Sequence, residues 1–389
     1  MKLLTAEEAA KELRVSRATL YAYVSRGLVQ AQPADDPRQR RYSADGIEKL
    51  AEDRKRGRKP KEIAKATLNF GVPVLESGIT AIEAGRLFYR GHDAVGLAER
   101  ASLEEVAALL WAAPHDVAFP NRAPDLARDF RPSAGAEAET LLTRLAGATE
   151  EEPTAPWLAP KLVFEGCGGL LRIMAALVAG TKAPDTAPVH ATLARAYGLD
   201  HDAAELLRRA LVLSADHELN ASSFAGRVVA STGASLRAAA IAGLAALTGP
   251  RHGGLTWRVE ALFDAIGDGD AEPALRKRLA AGEDLPGFGH PLYPDGDPRA
   301  SALLARAYPH LPQARAIAEA AERLTGRPPS LDFALASVRR RLKLPLGHAF
   351  CLFALGRTAG WIAHGLEQRA TGTLIRPRAI YVGPPPEKT

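Results

Sequence analysis

Three histidines and one aspartate stand where a side chain can do acid–base chemistry. His252 lies in GPRHGG, His290 in GFGHPLYPDGDPRA, His217 in SADHELNASSFAGRVVAST and Asp332 in PSLDFALASV. A histidine beside glycines sits on a sharply bent backbone, where its ring reaches a ligand instead of packing on a helix face. Two such imidazoles with a carboxylate make a proton-transfer set. Singly, each has a plainer reading. A lone histidine, as at His92, His190, His201, His348 or His364, is more often exposed or satisfied in the core than catalytic. Asp332 follows Pro329-Ser330 and precedes FALASVRRRL, so it also reads as a helix N-cap. Other chemistries fail on spacing. His217-Glu218-Leu219-Asn220-Ala221 has no second histidine four residues on, as a zinc helix requires, and GFGHPL has two of the three glycines of a dinucleotide loop. GxxxxGK[ST] does not occur, which argues against nucleotide hydrolysis.

The elements that must position these residues are helices. From about Glu62 the composition turns to Ala, Leu and Arg. TLLTRLAGA, ATLARAYGL, DAAELLRRALVLSAD and ARAIAEAAERL place apolar residues at three- and four-residue spacing. Alternating β-branched runs are almost absent, so the expectation is a mainly α body of layered helices. Cys167 and Cys351 are the two cysteines, without metal-ligand spacing, and predict a reducing, cytoplasmic compartment. MKLLTAEEAAKELRV lacks the apolar core of a signal peptide. The apolar runs Ala238–Leu247 and Ala349–Leu355 are too short for a membrane span.

Charge is uneven. Residues 1–60 hold 14 Lys+Arg and 9 Asp+Glu, while the remainder is balanced, so the formal net charge of +5 belongs to the N-terminal segment. A basic segment on a neutral body suggests a polyanionic partner for that segment alone. Thr5 and Glu8 have capping-box spacing, and Ala9, Ala10 and Leu13 share a helical face. Ser16 caps a second helix carrying Leu20 and Val24, which Gly27 ends. Two short helices and a tight turn make a helix-turn-helix, with Arg17, Thr19, Tyr21 and Tyr23 available to a DNA groove and its phosphates. A strand, a turn, a basic strand through Arg40-Arg41-Tyr42 and a third helix capped by Ser43 follow. The segment from Leu3 to Asp53 resembles the winged helix-turn-helix of the MerR and excisionase type. That resemblance implies DNA contacts from Arg17, Thr19, Tyr21, Arg40 and Arg41. RKRGRKP then forms a basic linker.

From about Gly78 to Gly383 the chain resembles citrate synthase. The match runs in family order from GITAIEAGRLFYRGHDAVGLAERASLEEVAALLW to GRTAGWIAHGLEQ and IRPRAIYVG. The resemblance implies a two-domain helical fold: 1–53 winged helix-turn-helix, 54–61 linker, 62–252 with 337–389 a large domain, and 253–336 a small one. It implies condensation of acetyl-CoA with oxaloacetate, Asp332 acting as base, His252 as enol stabiliser and His290 as acid. His217, Arg299, Arg357 and Arg376 are the implied oxaloacetate ligands, Arg376 reaching across a homodimer. The chemistry needs no metal and no bound cofactor, because CoA enters as a substrate. Where many relatives carry a cation for the CoA phosphates, residues 291–298 have none. Arg251 is the candidate replacement, and Gly287 and Gly289, which let the backbone bend beside His290, complete the expected CoA-binding set. The same catalytic groups serve 2-methylcitrate synthase with propionyl-CoA, since one methylene discriminates weakly. A third reading is a DNA-binding regulator whose synthase-like body senses acyl-CoA or oxaloacetate.

Overall fold

The computed structural model describes residues 3–13, 15, 20, 31–33, 40–44, 46–47, 75–128, 130, 138–149, 152–379 and 381–384. Internal contacts divide the chain into two units, Met1–Glu76 and Ser77–Thr389.

In the first unit β1 (Leu3–Leu4) and α1 (Ala6–Glu12) are followed by β2 (Ala31–Pro33) and β3 (Arg40–Ser43). The capping box forms as its spacing predicts: Glu8 N donates to Thr5 Oγ1 at 3.2 Å and Thr5 N to Glu8 Oε2 at 2.7 Å. The strands make an antiparallel sheet in the order β1-β3-β2, with Tyr42 opposite Leu4 and Ala31. Gly46 N donates to Ser43 Oγ at 3.4 Å, so Ser43 caps as expected. Ala9, Ala10, Leu13, Leu20, Tyr42 and Ile47 form the core among the described residues. Arg40 and Arg41 lie on β3. Arg17, Thr19, Tyr21, Tyr23 and the basic linker lie outside the described residues.

The second unit opens with β4 (Thr80–Glu83), β5 (Arg86–Tyr89) and β6 (His92–Asp93), an antiparallel meander. The sequence reading missed this sheet. Its two-residue turns are Ala84-Gly85 and Arg90-Gly91, all at positive φ, which is type I′ geometry. The usual Asn-Gly or Asp-Gly signal is absent from both, so alternation alone marked the strands.

Helices make up the rest, as periodicity predicts. They are α2 (Ala94–Arg100), α3 (Leu103–Trp111), α4 (His115–Ala118), α5 (Ala138–Ala146), α6 (Pro160–Ala179), α7 (Val189–Tyr197), α8 (His201–Ser214) and α9 (Ala221–Ser231). Beyond them run α10 (Leu236–Leu247), α11 (Leu255–Ile266), α12 (Ala271–Ala280), α13 (Pro298–Ala307), α14 (Pro312–Thr325), α15 (Leu331–Arg341) and α16 (His348–Thr371).

One expectation needs correcting: α6, with 20 residues, is long and apolar enough by length and composition to cross a membrane. Lys161, Glu165 and Arg172 interrupt the stretch, so it does not stand out as one apolar run. Most of it is buried inside the fold, where Gly168 passes against the carbonyl of Ala118. α16 is the central helix, buried from His348 to Gly365 and packed on α3, α6, α8, α9, α10 and α15. Gly356 and Gly360 permit this. A Cβ at Gly356 would stand 2.6 Å from the Leu211 carbonyl, and one at Gly360 would stand 2.3 Å from Asp216 Oδ1. The end of α8 therefore meets α16 backbone to backbone, and Gly360 N donates to Ala215 O at 3.0 Å.

Candidate active site

Four loop-to-helix junctions carry the polar residues. The first follows α8, where the chain turns through His217 and Glu218, the latter in the left-handed region at φ +53°. Asn220 then caps α9, its Oδ1 accepting from Ser222 N and Ser223 N. The second is the turn at His252 before α11. Next comes the loop of His290, and last the start of α15.

These last two are stitched together. Gly289 N donates to Pro328 O at 2.7 Å and Ser330 N to Gly287 O at 2.8 Å, an antiparallel bridge between 287–289 and 328–330. Both glycines have positive φ, +87° and +79°, and a Cβ on Gly287 would meet Val259 at 2.8 Å. They let the chain turn tightly enough for His290 and Asp332 to share one wall. Asp297 reinforces the seam: it caps α13, pairs with Arg299 Nε and Nη2 at 2.9 and 2.8 Å, and accepts from Leu331 N at 3.1 Å. Ser330, not Asp332, is the N-cap of α15, which removes the plainer reading of Asp332.

The rings cluster. His217 and His290 meet edge to face at 5.1 Å, Tyr293 lies 5.5 and 5.2 Å from them, and its hydroxyl is 3.0 Å from His217 Nε2. Arg299 lies over the Tyr293 ring at 5.4 Å. Phe353 joins the other side, with His252 at 6.1 Å and Arg357 at 5.0 Å from its ring. Arg357 donates Nε to Ser214 O at 2.9 Å, while Nη1 and Nη2 are buried without a hydrogen-bond partner among the described residues. Asp332 Oδ1 is enclosed and equally unpartnered.

Low dielectric and neighbouring charge set the protonation states. Burial, aided by Arg357, pulls His252 down to about 4. Burial and Arg299, against Asp297, bring His290 to about 4 as well. His217 is driven well below the usual range by burial and by Arg299 and Arg357. Burial lifts Asp332 to about 7, Arg299 opposing and Asp297 assisting. All three rings are therefore neutral at pH 7, and one carboxyl group titrates there.

Tautomers follow from the partners. His290 Nδ1 accepts from Leu292 N at 3.2 Å, so its hydrogen is on Nε2. His252 Nε2 lies 2.8 Å from Ser222 Oγ, itself 2.7 Å from Asn220 Oδ1. Ser222 has one proton for these two acceptors. If it gives that proton to His252, the ring hydrogen lies on Nδ1.

Of the residues the sequence singled out, His217, His252, His290, Asp332, Arg299 and Arg357 converge here. Arg251 is exposed, and Arg376 is exposed on the segment after α16. Ser222, Tyr293, Asp297 and Asp216 were missed. Asn220 three residues before Ser223 signalled a cap, and a serine in a cap draws no catalytic attention. Among the described residues no group of three His, Cys, Asp or Glu side chains converges for a metal.

The comparisons with known proteins agree with this architecture. The family model described as citrate synthase, C-terminal domain, matches residues 68–147 and 168–378, and one described as a helix-turn-helix domain matches residues 3–55. A Haloferax volcanii protein named citrate synthase is 31% identical over 359 residues, covering 80% of this chain and 94% of its own. Citrate synthase 2 of Bacillus subtilis is 39% identical over 194 residues, 47% of this chain and 52% of that one. The chain thus spans about half the length of several curated relatives it matches. The solved Thermoplasma acidophilum citrate synthase, in ternary complex with carboxymethyl coenzyme A and oxaloacetate, superposes with a TM-score of 0.68 at 27% identity, over 82% of this chain and 96% of that one. The chain belongs to the citrate synthase family and carries an N-terminal helix-turn-helix domain.

Proposed function

We propose that the protein condenses acetyl-CoA with oxaloacetate to give citrate and CoA. The observation that carries this reading is Arg357. It is a buried guanidinium with two unpaired Nη groups, set among neutral imidazoles opposite a carboxyl group of raised pKa, and so suits an anionic ketone beside a base. Asp332, once ionised, takes a methyl proton from the thioester. His252 donates from Nδ1 to the enol oxygen, which requires Ser222 to turn its proton onto Nε2. The enol carbon attacks the ketone of oxaloacetate, and His290 gives its Nε2 proton to the new alkoxide. Water then cleaves the thioester and frees CoA. His217, Arg299 and Arg357 hold oxaloacetate, and Arg376 of a second copy completes the site in a homodimer. Arg251, Gly287 and Gly289 contact CoA.

Residues 253–336 act as a small domain that closes over the large one and excludes water. The N-terminal unit binds DNA, and the protein works in the cytoplasm, a reading that the free, buried Cys167 and Cys351 support. Relatives carry both the citrate synthase and the 2-methylcitrate synthase names, which keeps propionyl-CoA as the second reading. CoA release followed with a thiol reagent, using each thioester with and without oxaloacetate, decides between them. Activity with neither thioester would leave the body a sensor attached to a DNA-binding domain.

A further inference from the structure

Arg357, Gly360, His364 and Gln368 recur at three- and four-residue spacing and so share one face of α16. Behind that face lies a line of buried charge outside the catalytic set. Asp216 is fully buried and fits over Gly360, which lies one helical turn from Arg357 and one from His364 on that face. Thr80 Oγ1 donates to its Oδ2 at 2.6 Å, and His364 Nε2 lies 3.3 Å from its Oδ1. His364 Nδ1 faces Arg227 Nη1 at 3.5 Å. A guanidinium has no acceptor, so Arg227 donates there and the ring hydrogen on Nε2 points at Asp216. Arg227 also pairs with Glu367 Oε2 at 2.6 Å and donates to Gln368 Oε1 at 3.0 Å. Tyr89 fixes the backbone: its hydroxyl donates to Asp216 O at 3.2 Å and lies 3.4 Å from Asp216 N.

A carboxylate with no exposure is costly to bury. Packing alone does not ask for one here, since an amide would fill the same space. What Asp216 has that an amide lacks is charge, and the nearby uncompensated cation is Arg357. Burial acts to raise the Asp216 carboxyl, yet His364, Arg357 and Thr80 together hold it below the usual range. In the other direction burial lowers Arg357 to about 10, and Asp216 is the first group opposing that fall. Asp216 also immediately precedes His217 and the left-handed Glu218.

We propose that Asp216 is a positioning residue for substrate binding. It balances the buried Arg357 charge from behind, which leaves both Nη groups for a ketoacid carboxylate, and through Thr80 and His364 it holds the turn that aims His217. This rests on Arg357 and His217 being oxaloacetate ligands.

The test is Asp216→Asn in the full chain, with CoA release measured against oxaloacetate concentration at pH 7.5 and 9.5. The groups whose charge acts on Arg357 include Asp216, Arg299, Tyr89 and Asp332, and Arg357 in turn acts on His217 and His252. Asp216 alone is substituted, and the ionisation of Asp332 is common to both proteins at each pH. KM for oxaloacetate should rise roughly 10- to 100-fold at pH 7.5, as expected when one member of a buried charge pair is lost, with kcat within about threefold and the acyl-CoA KM unchanged. The rise should be larger at pH 9.5, because Arg357 without its counter-charge gives up its proton earlier. A variant with the wild-type KM at both pH values, or one losing kcat and acyl-CoA affinity equally, overturns the proposal. Should Asp216→Asn lack the wild-type melting transition, Thr80→Val serves in its place. It should raise the oxaloacetate KM about threefold, as for one lost hydrogen bond, and an unchanged KM overturns the proposal. Wild-type protein that neither binds nor turns over oxaloacetate overturns the functional reading first, and this proposal with it.

Discussion

The two units treat polar groups in opposite ways. In the N-terminal unit the described core holds alanines, leucines, an isoleucine and Tyr42, and among the described residues Glu7, Glu8, Lys11 and Glu12 are exposed. The body buries Asp216, Asp297, Glu260, Arg227, Arg299 and Arg357 among its helices. Burying ions is costly, so where a body does so the groups are candidates for a prepared site, whereas the described apolar core of the first unit needs no such explanation. Substitutions in the two units should therefore fail differently.

The largest effect should come from Asp332→Asn, which keeps the shape and removes the proposed base. A fall in kcat of about 10²- to 10⁴-fold is expected for a lost general base. In the wild type, kcat/KM should climb through a single limb near pH 7, where Asp332 ionises, with no second limb from His252 or His290 above pH 5. A flat profile between pH 5 and 8 would remove Asp332 from the role.

Tyr42→Ala should act on the other unit alone. Tyr42 has no exposed surface and is the largest side chain in the described core, so its truncation should cost about 3–5 kcal/mol, enough to unfold so small a unit. Differential scanning calorimetry of the full chain should lose one transition while CoA release persists. Loss of both together would show that the units do not fold separately.

Gly360→Ala should be milder, about 1–3 kcal/mol of overpacking, because a methyl group there would stand 2.3 Å from Asp216 Oδ1 and 2.4 Å from Ala215 O. Its signature is a raised oxaloacetate KM through the displaced loop of His217. An unchanged KM at lowered Tm would mean that the loop is held from elsewhere.

How far all this was legible depends on how local the signal is. Thr5 with Glu8 and Ser43 with Gly46 are three-residue devices, and both form as their spacing predicts. His290 was marked by glycines whose positive φ at 287 and 289 bears out a bent backbone, whereas those after His252 have ordinary φ and serve close approach, a Cβ at Gly254 standing 2.3 Å from the Thr248 carbonyl. Asp332 drew notice only through family resemblance, because an aspartate in the first turn of a helix is ordinary. Asp216 and Ser222 carry no local mark: one acts over Gly360, 144 positions away, and the other against His252 across a helix pair. Arg299 could be named as an anion ligand from its motif, but its pairing with Asp297 follows from a fold in which α13 and α15 start side by side.

Asp332→Asn should also reveal a cost of keeping that base buried. The folded pKa of about 7 lies above the unfolded value near 3.9. A raised pKa gives stability that is complete below the unfolded pKa and is lost as pH rises through the folded one. Wild type and variant should therefore melt alike near pH 3.5. At pH 8 the variant should gain about 4 kcal/mol, because it no longer carries an ionised carboxylate in a buried position. Equal melting at both pH values would mean that Asp332 is solvated in the free enzyme.

The smallest expected effect returns to the N-terminal surface. On β3 side chains alternate, so Arg41 faces away from the core that holds Tyr42. If Arg41 contacts a DNA phosphate, Arg41→Ala in the full chain should weaken duplex binding. It should also reduce the slope of log affinity against log salt by about 0.9, the counterion release of one phosphate contact. CoA release should be unaffected. A lower affinity with an unchanged slope would assign Arg41 to holding the sheet, since only a charge that displaces counterions is read by salt.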